Sequence, residues 1–308
     1  MFFRVASQYI PDDAIAAVFV PVNQILSDPN MEMFPTEIFD AYLDEQVGIE
    51  LQHLDNIKMV FGMSGPFDPN PHAGVVIELS EDYDIDDLNP KLFRSTEPRK
   101  FEGLSVFPIN GPPGAVLYRK DPRTFVVAFE HYLEPMLDAN GETGQLATLV
   151  SGMQPQKGVT AVAVMQYIRP MVSGLLRQNA AQLQLEIREL SEFAELTDAL
   201  IVNVDYQILG GSLSVTAITR DDAAATELER ILNNSIDYGR DTALMLYVLN
   251  NTKNTKVDQA TVKYVGRVVT KITELLRPEK TGNRVNVQLE SNFATTGVLV
   301  GLLLPAVQ

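Results

Sequence analysis

The sequence predicts an α+β protein made of two related halves, each a mainly antiparallel sheet covered by helices. Two observations support this class. Apolar runs of strand length alternate with longer segments of helical periodicity, and the same order of elements occurs twice. Hydrophobic residues make up 45% of the 308 residues and charged residues 21%, which is a globular balance with ample material for a core. A chain of this length is typical of two domains, since a domain usually holds about 100–200 residues.

The first half begins with Ala14–Val20, an apolar run typical of a buried strand, and continues with a helical segment over about 31–47. Further strands are predicted at Ile57–Gly62 and Gly74–Leu79. The second of these runs into the acidic segment Glu81–Asp87, whose carboxylates favour a helix start. The predicted order is therefore strand, helix, strand, strand, helix.

The second half repeats this order, with one strand, one long helix, two strands and an acidic helix start. In chain order these are Val159–Val164, residues 168–195, Ala199–Val204, Ser212–Ile218 and the pair Asp221 and Asp222. We interpret the recurrence as a diverged internal duplication. We place the acidic first half at 1–150 and the second half at 151–308.

Beyond the shared order, the two halves differ. The first adds three short strands and a helix, predicted at Leu104–Ile109, Ala115–Tyr118, Thr124–Phe129 and 129–138. The second adds two long helices and a strand, predicted at 222–250, 256–277 and Arg284–Glu290. The second long helix has one apolar face at helical spacing, formed by Val262, Val265, Val269, Ile272 and Leu276.

The charge is strongly negative and uneven. The net charge is −16, and residues 1–90 contain 17 acidic residues against only two basic ones, Arg4 and Lys58. Because phosphate binding needs Lys and Arg, this balance excludes nucleic acid as a partner. It predicts an acidic face in the first third that could attract a basic partner or divalent cations.

The usual parts of an active site are missing from the sequence. There is no Cys, which excludes disulfides, thiolate metal sites and cysteine nucleophiles, and which is common in bacterial envelope proteins. No phosphate-binding glycine loop, dinucleotide fingerprint or GxSxG elbow occurs. The three histidines are His53, His72 and His131, and none has a second His at helical spacing. We expect His72 to be exposed in a Pro-rich loop, and His131 to be a surface residue.

One acidic cluster is a candidate metal site. Asp82, Asp84 and Asp86 alternate as in the first part of a calcium loop, where carboxylate oxygens surround the cation. The sixth and twelfth positions of such a loop would be Asp87 and Phe93, which replace the expected Gly and Glu. We therefore keep two interpretations: weak Ca²⁺ binding, or carboxylates that cap a helix after a strand.

The carboxyl end resembles a known family. Residues 298–308 read Val-Leu-Val-Gly-Leu-Leu-Leu-Pro-Ala-Val-Gln, which is similar to the pilin-like "LLLPAVQ" signature of a large paralogous family of planctomycete envelope proteins. The upstream motif Pro11-Asp12-Asp13-Ala14 also resembles the start of the α+β domain that precedes the signature in some members. The resemblance implies an exported protein of the cell envelope or periplasm, and a natural chain that continues past Gln308. The cleavage context of a prepilin is absent, so the resemblance does not extend to pilus assembly.

From these observations we expect a non-catalytic structural or protein-interaction module of the cell envelope, with no cofactor. Its partners would be other envelope proteins or further copies of itself, and any membrane attachment would lie outside this chain. The first alternative is a binding protein for a small ligand, peptide or Ca²⁺, through a cleft between the halves or the acidic segment 81–87. The second alternative is a hydrolase with an unrecognised site.

Overall fold

The computed structural model describes residues 7–29, 31, 34–63, 72–153, 157–180, 188–207, 210–251 and 255–292. Within these residues the chain forms eight α-helices and twelve strands, which confirms the α+β class. The helices are α1 Val22–Leu26, α2 Thr36–Val47, α3 Glu130–Asp138, α4 Gln145–Ser151, α5 Arg169–Ala180, α6 Phe193–Leu196, α7 Asp222–Asn251 and α8 Lys256–Leu275.

The strands follow the predicted positions closely, with β4 and β11 as additions. They are β1 Ala14–Val20, β2 Leu54–Gly62, β3 His72–Leu79, β4 Arg99–Phe101, β5 Leu104–Pro108, β6 Ala115–Asp121, β7 Thr124–Phe129, β8 Val159–Val164, β9 Thr197–Gln207, β10 Gly210–Thr219, β11 Glu279–Thr281 and β12 Arg284–Asn292. The predicted order of strand, helix, strand, strand therefore occurs in both halves. Common descent of the halves stays a prediction.

The chain divides into two compact units. Unit 1 comprises residues 1–167, 203–211 and 291–308, and unit 2 comprises residues 168–202 and 212–290. The predicted division at 150/151 was drawn from the sequence repeat, which is a different criterion, and it stays a prediction. Residues 298–308, which carry the family resemblance, lie outside the described residues.

Unit 1 is built on an antiparallel sheet in which β8, β1, β2, β3, β7, β6, β5 and β4 are consecutive neighbours. Successive residues of a strand point to opposite faces, so Ile77 and Val76 belong to different faces. One face, with Ile77 and Phe125, packs with apolar residues of α1 and α2. On the other face, Val76 is buried and α3 and α4 cover the strands.

Two glycines allow α3 to lie close to the second face of this sheet. A Cβ atom at Gly62 would lie 2.4 Å from the hydroxyl oxygen of Tyr132, and one at Gly74 would lie 2.2 Å from the sulfur of Met136. Tyr132 and Met136 are both buried, on the inner face of α3. The missing side chains at the glycines therefore make the space that these two residues fill.

Unit 2 contains most of β9, β10 and β12, all of β11, and the two long helices. Its core consists of the buried residues Leu196, Ala217, Ala224, Ala225, Leu228, Ile231 and Val285. Asp221 caps α7, because its Oδ1 accepts a hydrogen bond from the amide of Ala224 at 2.7 Å. The predicted apolar face of α8 is confirmed, since Val265 is buried and Val262, Val269 and Ile272 are half-buried.

Four sequence predictions need correction. The acidic segment after β3 forms two short 3₁₀ turns, Ile85–Asp87 and Pro90–Leu92, instead of an α-helix. The helix predicted over 31–47 starts later than expected, since α2 begins at Thr36, after Pro35. The helix predicted over 168–195 is not continuous, since residues 189–192 form a 3₁₀ turn before α6. Strand β10 begins at Gly210, two residues before the predicted start at Ser212.

Candidate functional site

The acidic segment Glu81–Asp87 uses its carboxylates to hold the local backbone. Asp84 Oδ1 accepts a hydrogen bond from the amide of Ile85 at 2.7 Å, and Asp87 Oδ2 accepts one from the amide of Asp84 at 2.7 Å. The Asp84 side chain also accepts from the backbone amide of Asp87, so Asp84 and Asp87 form a capping box on the 3₁₀ turn. The helix-capping interpretation of these carboxylates is thus confirmed for Asp84, on a turn shorter than expected.

The structure does not bring the three candidate calcium ligands together. Asp82 Oδ1 accepts a hydrogen bond from Arg123 Nε at 2.6 Å, and this hydrogen bond, then the charge of Asp82, raises the pKa of Arg123. Asp84 lies 3.4 Å from Arg119 Nη1, while Asp86 is exposed. No group of three or more His, Asp or Glu side chains in the described residues could hold a metal ion. Ca²⁺ binding stays a prediction without a preformed ligand set.

A groove lies beside this acidic segment. Its volume is about 580 Å³, and acidic, hydroxyl, aromatic and guanidinium groups share its lining. The lining residues are Asp84, Ile85, Asp86, Thr96, Pro98, Gly103, Leu104, Ser105, Phe107, Tyr118 and Arg119. Arg119 Nη2 donates to the carbonyl oxygen of Tyr83 at 2.7 Å, which anchors the guanidinium in the wall. Carboxylates next to aromatic rings suit a cationic ligand.

Helix α2 presents the most exposed apolar surface in the described part of unit 1. We call this surface the α2 patch: Ile38 is 69% exposed, Tyr42 67% and Phe39 49%. Its margin is acidic, with exposed Glu37, Asp44 and Glu45. Monomeric proteins seldom leave several large apolar side chains together in water, so such a patch indicates an interaction surface.

The opposite side of α2 explains its orientation. Leu43 and Val47 pack against the core of unit 1, and Asp40 Oδ1 accepts a hydrogen bond from the amide of Leu51 at 2.7 Å. These residues lie at i, i+3 and i+7, so they define one helix face. The α2 patch therefore points away from the core because the inner face is already occupied.

A half-buried polar cluster joins β3 to the turn before β1. His72 Nδ1 lies 2.7 Å from Asp13 Oδ2, and the His72 side chain is only 12% exposed. The expectation that His72 is exposed in a loop was wrong, because His72 is the first residue of β3. His131 is exposed, as expected, and its ring centroid lies 5.1 Å from that of His72.

This cluster contains two groups typical of an acid–base site, the His72 imidazole and the Asp13 carboxylate. A carboxylate that binds Nδ1 fixes the imidazole tautomer, as it does in general bases. The neighbouring Tyr132 hydroxyl is buried and makes no hydrogen bond with the described residues. Burial, followed by the charge of Asp13, raises the pKa of Tyr132. That hydroxyl is thus held neutral and away from solvent.

A second buried charge lies under the segment that precedes β1. Lys58 on β2 is 7% exposed, and its Nζ donates to the carbonyl oxygen of Gln8 at 2.9 Å. Burial lowers the pKa of Lys58 to about 8, although Glu78 acts in the opposite direction. The ammonium group lies 5.4 Å from the ring centroid of Tyr9, and Lys120 donates to the hydroxyl of the same tyrosine. These contacts attach the segment to the sheet.

No helix in the described part of the chain is both long enough and apolar enough to cross a bilayer. No family model matches the chain, and no curated protein matches it. Among solved structures, the chain is similar to crystal form I of TP0453, a Treponema protein, at 9% identity over 96% of each chain with a TM-score of 0.41. Crystal form III of TP0453 gives 11% identity over 94% of this chain and 95% of that chain, with a TM-score of 0.42. At such identities and TM-scores the likeness supports no inference about function.

Sequence reasoning missed the α2 patch and the Asp13–His72 pair for different reasons. Ile38, Phe39 and Tyr42 have the composition of a core helix face, and only the structure shows that Leu43 and Val47 face the core instead. Asp13 and His72 are 59 residues apart and meet through strand pairing. No local spacing could have indicated that contact.

Proposed function

We propose that the protein is a non-catalytic interaction module of the cell envelope that binds a protein partner through the α2 patch. The exposure of Ile38 and Tyr42, each about two-thirds in solvent, is the observation that carries this proposal. An interface core needs desolvated apolar and aromatic side chains within a polar rim, and α2 provides both. The absence of Cys and the envelope-like signature at residues 298–308 support the compartment.

Site-specific photo-crosslinking tests this function in cells that make the full chain. A benzophenone amino acid replaces Ile38 in one variant and Tyr42 in another, with the exposed Thr226 on α7 as the matched control position. We expect protein adducts at 38 and 42 and none at 226, in the envelope or periplasmic fraction. Equal adducts at all three positions, no adduct at 38 and 42, or recovery in the cytosol would contradict the proposal.

A second function is favoured by the groove beside Asp84 and Asp86. We propose, as the alternative, that this groove binds a small cationic ligand, an arginine- or lysine-bearing peptide, or Ca²⁺. Thermal melting with arginine amide, and with CaCl₂ before and after EDTA, measures this binding, because a ligand of the native state raises Tm. Asp86→Asn should remove the rise, whereas Asp138→Asn, an exposed carboxylate outside the groove, should not. An unchanged Tm with both probes would contradict it.

A further inference from the structure

Helix α8 of unit 2 has an exposed face whose pattern is the counterpart of the α2 patch. Lys256, Lys263, Arg267 and Lys271 are exposed and lie at i, i+7, i+11 and i+15, which places them on one side of the helix. Val257 is 73% exposed and Tyr264 48%, and they form an apolar stripe beside the basic one. We call these six residues the α8 face.

The two surfaces have opposite charge in comparable positions. The α2 helix contains Glu37, Asp40, Asp44 and Glu45 and no basic residue. In α8 the four basic residues outnumber the two acidic ones, Asp258 and Glu274. Glu37 and Glu45 are eight residues apart, as are Lys263 and Lys271, so both pairs span about 12 Å along their helices.

On both helices the charged residues also lie on the same side of the apolar stripe, when each helix is viewed in the same chain direction. At 100° per residue, Glu45 and Glu37 lie on one side of the Ile38–Tyr42 stripe. Lys263 lies on the corresponding side of the Tyr264 stripe. In an antiparallel helix pair, equivalent sides face each other, whereas in a parallel pair opposite sides do. Antiparallel packing therefore joins acidic to basic and apolar to apolar stripes at once.

We infer that the partner of the α2 patch is a second copy of this chain, whose α8 face packs antiparallel on α2. This inference rests on the proposed interaction function and names its partner. The contact is heterologous, because α2 of one copy meets α8 of the next, so in a pair one copy keeps a free α8 face and the other a free α2 patch. The charged margins give the contact its specificity and the apolar stripes its buried area.

Two charge-reversal variants test the contact by sedimentation velocity over a wide concentration range. One carries Glu37→Lys and Glu45→Lys, and the other carries Lys263→Glu and Lys271→Glu. Each variant alone should associate at least about tenfold more weakly than the wild type, because like charges then face each other. The exposed control pair Lys91→Glu and Lys100→Glu should leave association unchanged.

Mixing the two variants gives the decisive result. The α2 variant keeps a native α8 face, and the α8 variant keeps a native α2 patch, so an equimolar mixture should form a 1:1 complex at wild-type affinity. A mixture that stays monomeric while the wild type associates would overturn the inference, because the interface would then lie elsewhere. Self-association of the α8 variant alone would also overturn it, since α2 would then pair with α2.

Three other outcomes would indicate a different partner for the α2 patch or the α8 face. A wild-type chain that stays monomeric would overturn the inference, while crosslinks from α2 to another protein would still support the proposed function. Monomers whose Phe39 and Tyr42 resist hydroxyl-radical labelling would show that another part of the same chain covers α2. Binding of monomers to phosphatidylglycerol vesicles, lost with Lys263→Glu and Lys271→Glu, would assign the α8 face to lipid.

Discussion

The two units bury their apolar residues in different ways. In unit 1, helices cover the sheet on both faces, and large side chains such as Phe125, Tyr132 and Leu133 are almost fully buried. In unit 2, three of the seven buried residues of the main apolar cluster are alanines, and Val265 is the only buried residue of α8. Since stabilisation scales with buried apolar area, unit 1 has the properties of a scaffold. Unit 2 instead leaves much of the surface of α7 and α8 exposed.

The largest expected effect is the loss of stability when a buried leucine is removed, and it should differ between the cores of the two units. Leu133→Ala removes a fully buried side chain of unit 1 and should lower the free energy of unfolding by about 3–5 kcal/mol. Leu228→Ala is the matched change in unit 2, where neighbouring alanines leave fewer contacts to lose, and about 2–3 kcal/mol is expected. Hydrogen exchange measures both: the first variant should deprotect β2 and β3, and the second α7 and β10.

This experiment can also break the comparison. If Leu228→Ala deprotected β2 and β3 as strongly as β10, the two units would unfold as one cooperative body. If Leu228→Ala lowered the free energy of unfolding as much as Leu133→Ala, the alanine-rich core of unit 2 would stabilise the fold as much as the core of unit 1. Either result would remove the distinction in stability between the two units.

The success of sequence reasoning depends on whether a feature is set by local sequence or by tertiary packing. Strands β1, β7 and β8 match their predicted limits because apolar residues continue through buried strands and stop at turns. The segment after β3 failed because the acids of 81–87 satisfy helix starts and 3₁₀ turns equally well. The α2 patch and the Asp13–His72 pair depend on which helix face meets the sheet and on which strands pair. Those are tertiary properties, and a single sequence does not record them.

The second prediction tests how well unit 1 excludes water around Lys58. Burial lowers its folded-state pKa to about 8, whereas an unfolded lysine titrates near about 10.4. Between these values the unfolded state binds more protons, so wild-type stability contributed by this site rises with pH from about 8 to about 10.4. Below pH 8 the buried ammonium costs about 3 kcal/mol, in part offset by its hydrogen bond to Gln8.

Lys58→Met should therefore stabilise the protein by about 1–2 kcal/mol at pH 7, because the buried charge is removed. Urea unfolding at pH 7 and pH 10 measures the change, and the advantage of the variant should shrink as pH rises. The exposed Lys100→Met serves as the control and should show no such dependence. An advantage that is constant with pH would mean that water reaches Lys58 and that unit 1 is less closed than its burial indicates.

The smallest effect concerns the contact between α3 and the sheet of unit 1. The buried Tyr132 hydroxyl lacks a hydrogen bond with the described residues, so Tyr132→Phe should raise the free energy of unfolding by about 1 kcal/mol. The raised pKa of Tyr132 also predicts how stability changes with pH. Above about pH 10 an unfolded tyrosine loses its proton while the folded one keeps it. The gain from phenylalanine should therefore increase at high pH.

A second substitution distinguishes a packing role of Tyr132 from a polar one. Gly62→Ala places a methyl group 2.4 Å from the hydroxyl oxygen, so it should destabilise the native chain and do so less in the Tyr132→Phe background. Equal costs in both backgrounds would show that the ring, not the hydroxyl, limits the space. A Tyr132→Phe variant that loses stability would instead mean that the hydroxyl binds Asp13. The Asp13–His72–Tyr132 cluster would then be a connected polar network, and unit 1 would contain a candidate reactive centre as well as a scaffold.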